Sequence, residues 1–224
     1  MTISFEMEGD VGVVTMDDGK ANAASAVTID ELAAVLDRAV QDSGAVVLSG
    51  RPGIFSAGFD MKTMKGDDAA ARKEMITKGA RMAHRLFTFP KPLVIAATGH
   101  AFALGTVWLL CADTRIGESG DYKFGLNETA IGEILPAFGY EPALMRLNRD
   151  EIMPALVQAK IYDPQGALAA GYLDQLVASG EAKNAAISFA TELAKLPGGA
   201  YLGNKMAIRG AAAERMAAAI GTVS

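Results

Sequence analysis

The sequence is poor in the residues that most often hold metals or form disulfides. Its 224 residues include one cysteine, which excludes an internal disulfide, and two histidines, too few for a zinc site. The longest apolar stretch, residues 101–112, is too short to cross a bilayer. A net charge of −5 without a basic tract argues against nucleic acid as a partner. These absences predict a protein with no metal site, no membrane segment and no nucleic-acid partner.

The composition suits a globular protein. Hydrophobic residues make up 50% of the chain and charged residues 21%, so one domain of this length can bury a large core. The N-terminal segment alternates like a strand and lacks the basic and apolar parts of a signal peptide. We therefore predict a cytoplasmic protein.

Strand and helix patterns alternate in the first part of the chain. Short apolar or alternating segments predict strands, and apolar residues spaced three and four apart predict helices. The predicted strands are residues 3–7, 11–16, 45–49, 93–97 and 114–117, and the predicted helices are residues 28–40, 67–86 and a segment ending at residue 110. This alternation indicates an α/β fold with helices packed on a sheet.

The pattern becomes mostly helical after Gly132. The helices predicted there are residues 140–147, 151–159, 164–170, 182–196 and 204–220. We therefore predict a core domain of residues 1–136 and a helical C-terminal region of residues 137–224. The last helix is alanine-rich and weakly amphipathic, so we expect this region to contribute to subunit contacts.

Two short segments carry most of the functional information. Residues 53–60 (GIFSAGFD) follow one apolar run, and residues 99–105 (GHAFALG) follow another. With the apolar run before it, each reads as a buried strand that breaks into a turn of small residues and then a helix, which leaves backbone N–H groups unpaired. Two such turns side by side would supply the converging donors of an oxyanion site. With the carboxylate of Glu128 soon after, they indicate an enzyme that acts on a carbonyl compound through an enolate-like intermediate.

The same segments resemble a known family. Residues 55–60 (FSAGFD), 99–101 (GHA) and 111–116 (CADTRI), in this order and spacing, resemble the crotonase superfamily of enoyl-CoA hydratases and isomerases. The resemblance implies a spiral core of repeated ββα units, acyl-CoA as substrate, and assembly as a homotrimer or a dimer of trimers. It also implies that the backbone N–H groups of Phe59 and Leu104 are the two oxyanion donors.

The segment around Glu128 is similar to the mitochondrial-type enoyl-CoA isomerases. In those enzymes the glutamate of a Gly-Leu-Asn-Glu-Thr segment, here residues 125–129, is the only catalytic acid–base group. The hydratases of the family carry a second glutamate one turn into the helix after the second oxyanion turn, where this chain has Val107. The resemblance thus implies that Glu128 is the proton shuttle of an isomerase. Taken alone, a carboxylate in this turn is more often a helix-start residue favoured by the helix dipole.

The resemblance also implies contacts with the CoA part of the substrate, and no separate cofactor. The residues at these positions are Lys20, Ala21, Ala57, Phe59, Asp60, Met61 and Lys62. From residue type alone, Asp60 is equally suited to capping a turn, and a solvated surface lysine needs no ligand.

Two other functions stay open. A hydratase would need a substitute for the missing carboxylate, for which Glu133 and Glu118 are available. A non-catalytic acyl-CoA-binding protein would result if Leu104, at a position where glycine is usual in the family, blocks the oxyanion pocket. Leucine would also be strained there if the backbone requires a positive φ.

Overall fold

The computed structural model describes residues 2–221 of the chain as an α/β structure. The strands are β1 Thr2–Glu8, β2 Val11–Asp17, β3 Ala45–Ser49, β4 Gly53–Ser56, β5 Leu93–Ala97, β6 Gly99–Phe102, β7 Thr114–Glu118, β8 Phe124–Gly125 and β9 Gln175–Val177. The helices are α1 Ala26–Asp42, α2 Met61–Met64, α3 Ala69–Phe87, α4 Leu104–Cys111, α5 Ala137–Arg146, α6 Ile152–Leu156, α7 Pro164–Ala170, α8 Ala182–Ala194 and α9 Gly198–Ile220. Short 3-10 turns cover Thr129–Ile131 and Arg149–Glu151.

The larger sheet has six strands in the order β1-β2-β3-β5-β7-β9. The β1 and β2 strands are antiparallel, and the following pairs are parallel. The helix α8 covers one face with Ala182, Ala186 and Ala190, while α1, α3 and α4 belong to the core on the other face. Since both faces of β3 and β5 are covered, these strands are continuous apolar runs, as expected for parallel strands.

The smaller sheet has three parallel strands, in the order β4-β6-β8. The segments we predicted as turns after β3 and β5 therefore begin as the strands β4 and β6, and the turns directly follow these strands. Each strand of this sheet follows a strand of the larger one, so that β3–β4, β5–β6 and β7–β8 are successive units. This repeated arrangement confirms the crotonase-like fold expected from the motifs.

Four predicted helices in the C-terminal region have different bounds in the structure. The helix predicted over residues 140–147 is Ala137–Arg146. The helix predicted over residues 151–159 ends at Leu156, and Ala159 has a φ of +53°, which is not helical. The helix α8 ends at Ala194, two residues before the predicted end, and Pro197 disfavours helical backbone at Leu196. Pro197 is also the N-cap of α9, which starts at Gly198 rather than at residue 204. The prediction placed its start too late because two glycines open the first turn.

The helix α9 is held to the core by a buried ion cluster. The Lys205 Nζ atom lies 2.5 Å from Asp113 Oδ2, and an Arg209 nitrogen lies 3.1 Å from Asp113 Oδ1. All three side chains are at most 8% exposed. Lys205 also donates to the carbonyls of Phe89 and Lys91. The cluster thereby ties the first half of α9 to the ends of α3 and α4.

The helix α9 is as long as a typical membrane-spanning helix. Its 23 residues would reach across a bilayer, but the helix carries several charged side chains. Among residues 2–221, no helix combines the necessary length with sufficient apolar character.

Replacing Asp113 with asparagine should strongly destabilise the fold. The neutral amide leaves Lys205 and Arg209 buried without a counter-ion, and breaking such a pair typically costs about 3–5 kcal/mol. Urea unfolding measures the change. The matched control is Asp42→Asn, which removes the exposed partner of Arg38 and should cost less than about 1 kcal/mol. Equal losses in the two variants would contradict the role assigned to Asp113.

Candidate active site

The two predicted oxyanion turns lie in contact. Gly58 has a φ of +91°, and a Cβ atom placed on it would lie 3.0 Å from the Ala103 Cβ and 3.2 Å from the Leu104 nitrogen. Only glycine fits this conformation and this spacing without strain. Within residues 2–221, neither the Phe59 N–H nor the Leu104 N–H has a hydrogen-bond acceptor. Two free donors therefore lie on adjacent turns, as an oxyanion site requires.

Hydrogen bonds from Asn22 hold the first turn. The buried Asn22 Nδ2 donates to the carbonyls of Met16, at 2.9 Å, and Phe55, at 3.1 Å. In return, the Ser56 hydroxyl donates to the Asn22 carbonyl at 2.8 Å. A role for Asn22 was not predicted from sequence, because its partners lie 6 and 33 residues away.

The second turn is strained at Ala103. Ala103 has φ +47° and ψ −124°, a combination that side chains disfavour. The condition for strain at Leu104, a positive φ, is not met, since Leu104 is the first residue of α4 and Ala103 takes the positive φ. The Ala103 N–H donates to the Gly125 carbonyl at 3.1 Å, and the Thr106 hydroxyl bonds the carbonyls of Ala101 and Gly125. These bonds fix the turn against β8.

A cavity of about 1320 Å³ lies beside the two turns. Of the predicted site residues, Glu128, Phe59, Leu104, Ala57 and Met61 line it. Most of its remaining walls are apolar; they include Met64, Ile76, Phe102, Ile131, Ile134, Leu135, Phe138 and Ala219. A carboxylate, two backbone donors and a large apolar space therefore share one cavity.

Glu128 is half-buried, and its environment disfavours the charged form. Burial raises the pKa of its carboxyl group. The buried Oε2 atom has no hydrogen-bond partner among the described residues. Glu128 precedes the Thr129–Ile131 turn, but its side chain makes no capping hydrogen bond. The alternative role of a helix-start carboxylate is therefore not supported by a capping hydrogen bond.

The residues considered for a second carboxylate lie in different surroundings. Val107 lines the cavity and is 1% exposed. Glu133 lines the cavity too, but it is exposed. Glu118 is not available as a substitute, because its buried carboxylate accepts hydrogen bonds from the backbone N–H groups of Gly180 and Ala182. Glu118 thus stabilises the start of α8 and does not line the cavity.

The other predicted CoA contacts lie outside the cavity lining. Lys20 and Lys62 are exposed. Asp60 is the N-cap of α2 and accepts hydrogen bonds from the Thr63 hydroxyl and N–H, which lower the pKa of its carboxyl group. The Ala21 carbonyl accepts the Ala57 N–H at 3.0 Å. These positions surround the first turn, and their contacts with CoA stay predictions.

Comparison with known proteins shows the family. A model of the enoyl-CoA hydratase/isomerase family matches residues 6–220. The chain therefore belongs to this family of enzymes, the crotonase superfamily, as the motifs had indicated.

Individual relatives include both activities. The mouse mitochondrial enoyl-CoA delta isomerase 1 is 29% identical over 87% of this chain and 70% of its own length. A probable enoyl-CoA hydratase of Bacillus subtilis is 32% identical over 64% of this chain and 56% of its own length. The crystal structure of an enoyl-CoA hydratase/isomerase family protein from Pseudomonas syringae has a TM-score of 0.94 and 36% identity, covering 98% of this chain and 95% of that one. The predicted similarity to mitochondrial isomerases is confirmed.

Replacing Ala103 with glycine should increase stability. A non-glycine residue in this conformation costs about 1–3 kcal/mol, which exceeds the entropic cost of glycine, about 0.5–1 kcal/mol. We expect a gain of about 1 kcal/mol in the free energy of unfolding, measured in urea. The control is Ala211→Gly, at an exposed position of α9, which should lose about 1 kcal/mol. Losses of similar size in both variants would refute the strain at Ala103.

Proposed function

We propose that the protein is an enoyl-CoA isomerase that shifts a β,γ double bond into α,β conjugation with the thioester. The observation that carries this proposal is the composition of the cavity. Phe59, Leu104 and Glu128 all line it, and the Glu128 Oε2 atom has no hydrogen-bond partner within residues 2–221, while the position one turn into α4 is Val107. An isomerase needs one carboxylate, because the same group removes and returns a proton.

The two donors would bind the thioester oxygen. As the C2 proton leaves, negative charge develops on this oxygen, and the N–H groups of Phe59 and Leu104 stabilise it. Because both turns are fixed by hydrogen bonds, these donors need little reorganisation during the reaction. Backbone donors also explain why phenylalanine and leucine can occupy these positions.

Glu128 would be the proton shuttle. Its ionised carboxylate takes the proton from C2, and the electron pair moves onto the thioester as an enolate. The carboxylic acid then protonates C4, and the double bond moves from C3–C4 to C2–C3. Burial supports both steps, because a raised pKa strengthens the base and still leaves an acid able to donate.

Glu133 supports hydration as the second candidate function. Hydration requires activation of water and delivery of a proton, and Glu133 is the second carboxylate lining the cavity within the described residues. Glu133 is exposed to solvent, whereas Glu128 is half-buried. A non-catalytic acyl-CoA-binding protein is the third candidate. The free N–H groups of Phe59 and Leu104 argue against it.

Assembly and location are part of the proposal. We propose a homotrimer or a dimer of trimers, on the basis of the family, with contacts from the helical C-terminal region. A cytoplasmic location rests on the sequence pattern alone. Light scattering at micromolar protein gives the mass and distinguishes these assemblies from a monomer.

Replacing Glu128 with glutamine should abolish isomerisation and preserve the fold. The amide cannot accept the proton, so we expect the rate to fall by about two to four orders of magnitude. The conversion of 3-enoyl-CoA is followed by the absorbance of the conjugated product. In the unmodified protein the rate should rise with pH through the raised pKa of Glu128, as the base ionises.

Glu133→Gln is the comparison for this variant. It should leave isomerisation within a few-fold of the unmodified rate. We expect Glu128→Gln to fold, because the carboxyl of Glu128 ionises at a lower pH in the unfolded chain than in the folded protein. As pH rises between these two pKa values, the free energy of unfolding of the unmodified protein therefore falls. At neutral pH the amide variant should be at least as stable as the unmodified protein. Near-normal turnover by Glu128→Gln would remove this residue from the mechanism.

Replacing Val107 with glutamate should introduce hydration. The new carboxylate and Glu128 could flank a bound water, and their proximity should raise one of the two pKa values. We expect measurable hydration of 2-enoyl-CoA and reduced stability, because the charge replaces a buried valine. The control is Val107→Gln, which adds similar bulk without a carboxylate. Rapid hydration by the unmodified protein would show that Val107 does not decide the activity.

A further inference from the structure

Gly79 of α3 lies directly beneath the side chains of both oxyanion residues. A Cβ atom on Gly79 would lie 2.5 Å from Phe59 Cε1, 2.7 Å from Phe59 Cζ and 3.0 Å from Leu104 Cδ2. The first two distances are well below ordinary van der Waals contact. Even an alanine would therefore displace the aromatic ring, and it would crowd the leucine.

The glycine is not explained by the backbone. Gly79 is a buried residue inside a 19-residue helix and is not among the glycines with a positive φ. Glycine is less favourable than alanine in a helix interior. The close approach of Phe59 and Leu104 is therefore the structural reason for a glycine at this position.

The same contact links the two donors to each other. Phe59 directly follows Gly58, and Leu104 directly follows Ala103, which are the residues where the turns touch. The backbones that carry the two donor N–H groups are thus in contact at Gly58 and Ala103. The side chains of Phe59 and Leu104 both pack against Gly79. Leu104 is 2% exposed, since its side chain packs in this contact and does not project freely into the cavity.

We propose that Gly79 is a positioning residue for the oxyanion donors. Because Gly79 has no side chain, the side chains of Phe59 and Leu104 can pack against its backbone. This packing fixes the direction of both N–H groups. The inference rests on the proposed function of these donors. It assigns a role in enolate stabilisation to a residue that does not line the cavity.

The test compares Gly79→Ala with Gly203→Ala. Gly203 is also a helical glycine, and a Cβ atom there would meet nothing within 4 Å. We expect Gly79→Ala to lower kcat for 3-enoyl-CoA isomerisation about a hundredfold, since displacement of a positioned group by about 1 Å has this effect. Gly203→Ala should keep the unmodified kcat.

A binding measurement separates donor positioning from general damage. A 3-ketoacyl-CoA readily forms an enolate and mimics the intermediate, whereas CoA lacks the acyl carbonyl. Calorimetry should show that Gly79→Ala loses about as much affinity for the 3-ketoacyl-CoA as it loses in kcat, with unchanged affinity for CoA. Adding Phe59→Leu, which removes Cε1 and Cζ and keeps the N–H, should restore most of the lost rate.

Three results would overturn the inference: an unchanged kcat in Gly79→Ala, equal losses of affinity for both ligands, or a loss of rate confined to long acyl chains. Should Gly79→Ala fail to fold, the double variant with Phe59→Leu decides. It should fold and match the rate of Phe59→Leu alone, and a folded but inactive double variant overturns the inference. Failure of the proposed function looks different, because the unmodified protein would then neither isomerise 3-enoyl-CoA nor prefer the 3-ketoacyl-CoA over CoA.

Discussion

The close approach of two turns is the constraint on which the site depends. The turn after β4 and the turn after β6 touch where Gly58 meets Ala103, and only a residue without a side chain leaves enough room there. Parallel pairing of β4 with β6 delivers both turns to the same edge of the smaller sheet. The free N–H groups of Phe59 and Leu104 therefore lie on two turns that are side by side. The larger sheet, the helices around it and the ion cluster under α9 provide the rigid support for this contact.

The site contains features that stability alone would not favour. Ala103 has a backbone conformation suited to glycine, and Glu128 has a buried oxygen without a partner. Such departures persist where the surroundings hold them in place, and they are common at functional sites. Here the hydrogen bonds of Asn22 and Thr106 fix the turns. Burial raises the pKa of Glu128 because it disfavours the charged carboxylate, which is the form that the proposed reaction requires.

Sequence patterns predicted the elements whose side chains repeat regularly, and they missed features set by contacts between distant segments. The strands β3 and β5 were predicted because burial on both faces makes them uniformly apolar. The strands β4 and β6 contain glycine and polar residues, so they resembled turns. The position of the strain, at Ala103 and not at Leu104, depends on the turn geometry. Periodicity counts apolar side chains and therefore passes over Gly79, and the backbone donors to Glu118 lie more than 60 residues away.

The central claim is that one carboxylate moves a proton within the substrate and that no water is added. It is tested most directly by incubating a 3-enoyl-CoA with the unmodified protein in ¹⁸O-labelled water, with absorbance and mass recorded together. The account predicts the absorbance of a conjugated 2-enoyl thioester and a product of unchanged mass without ¹⁸O. Product that has gained labelled water, or a substrate that is bound and never converted, would contradict it.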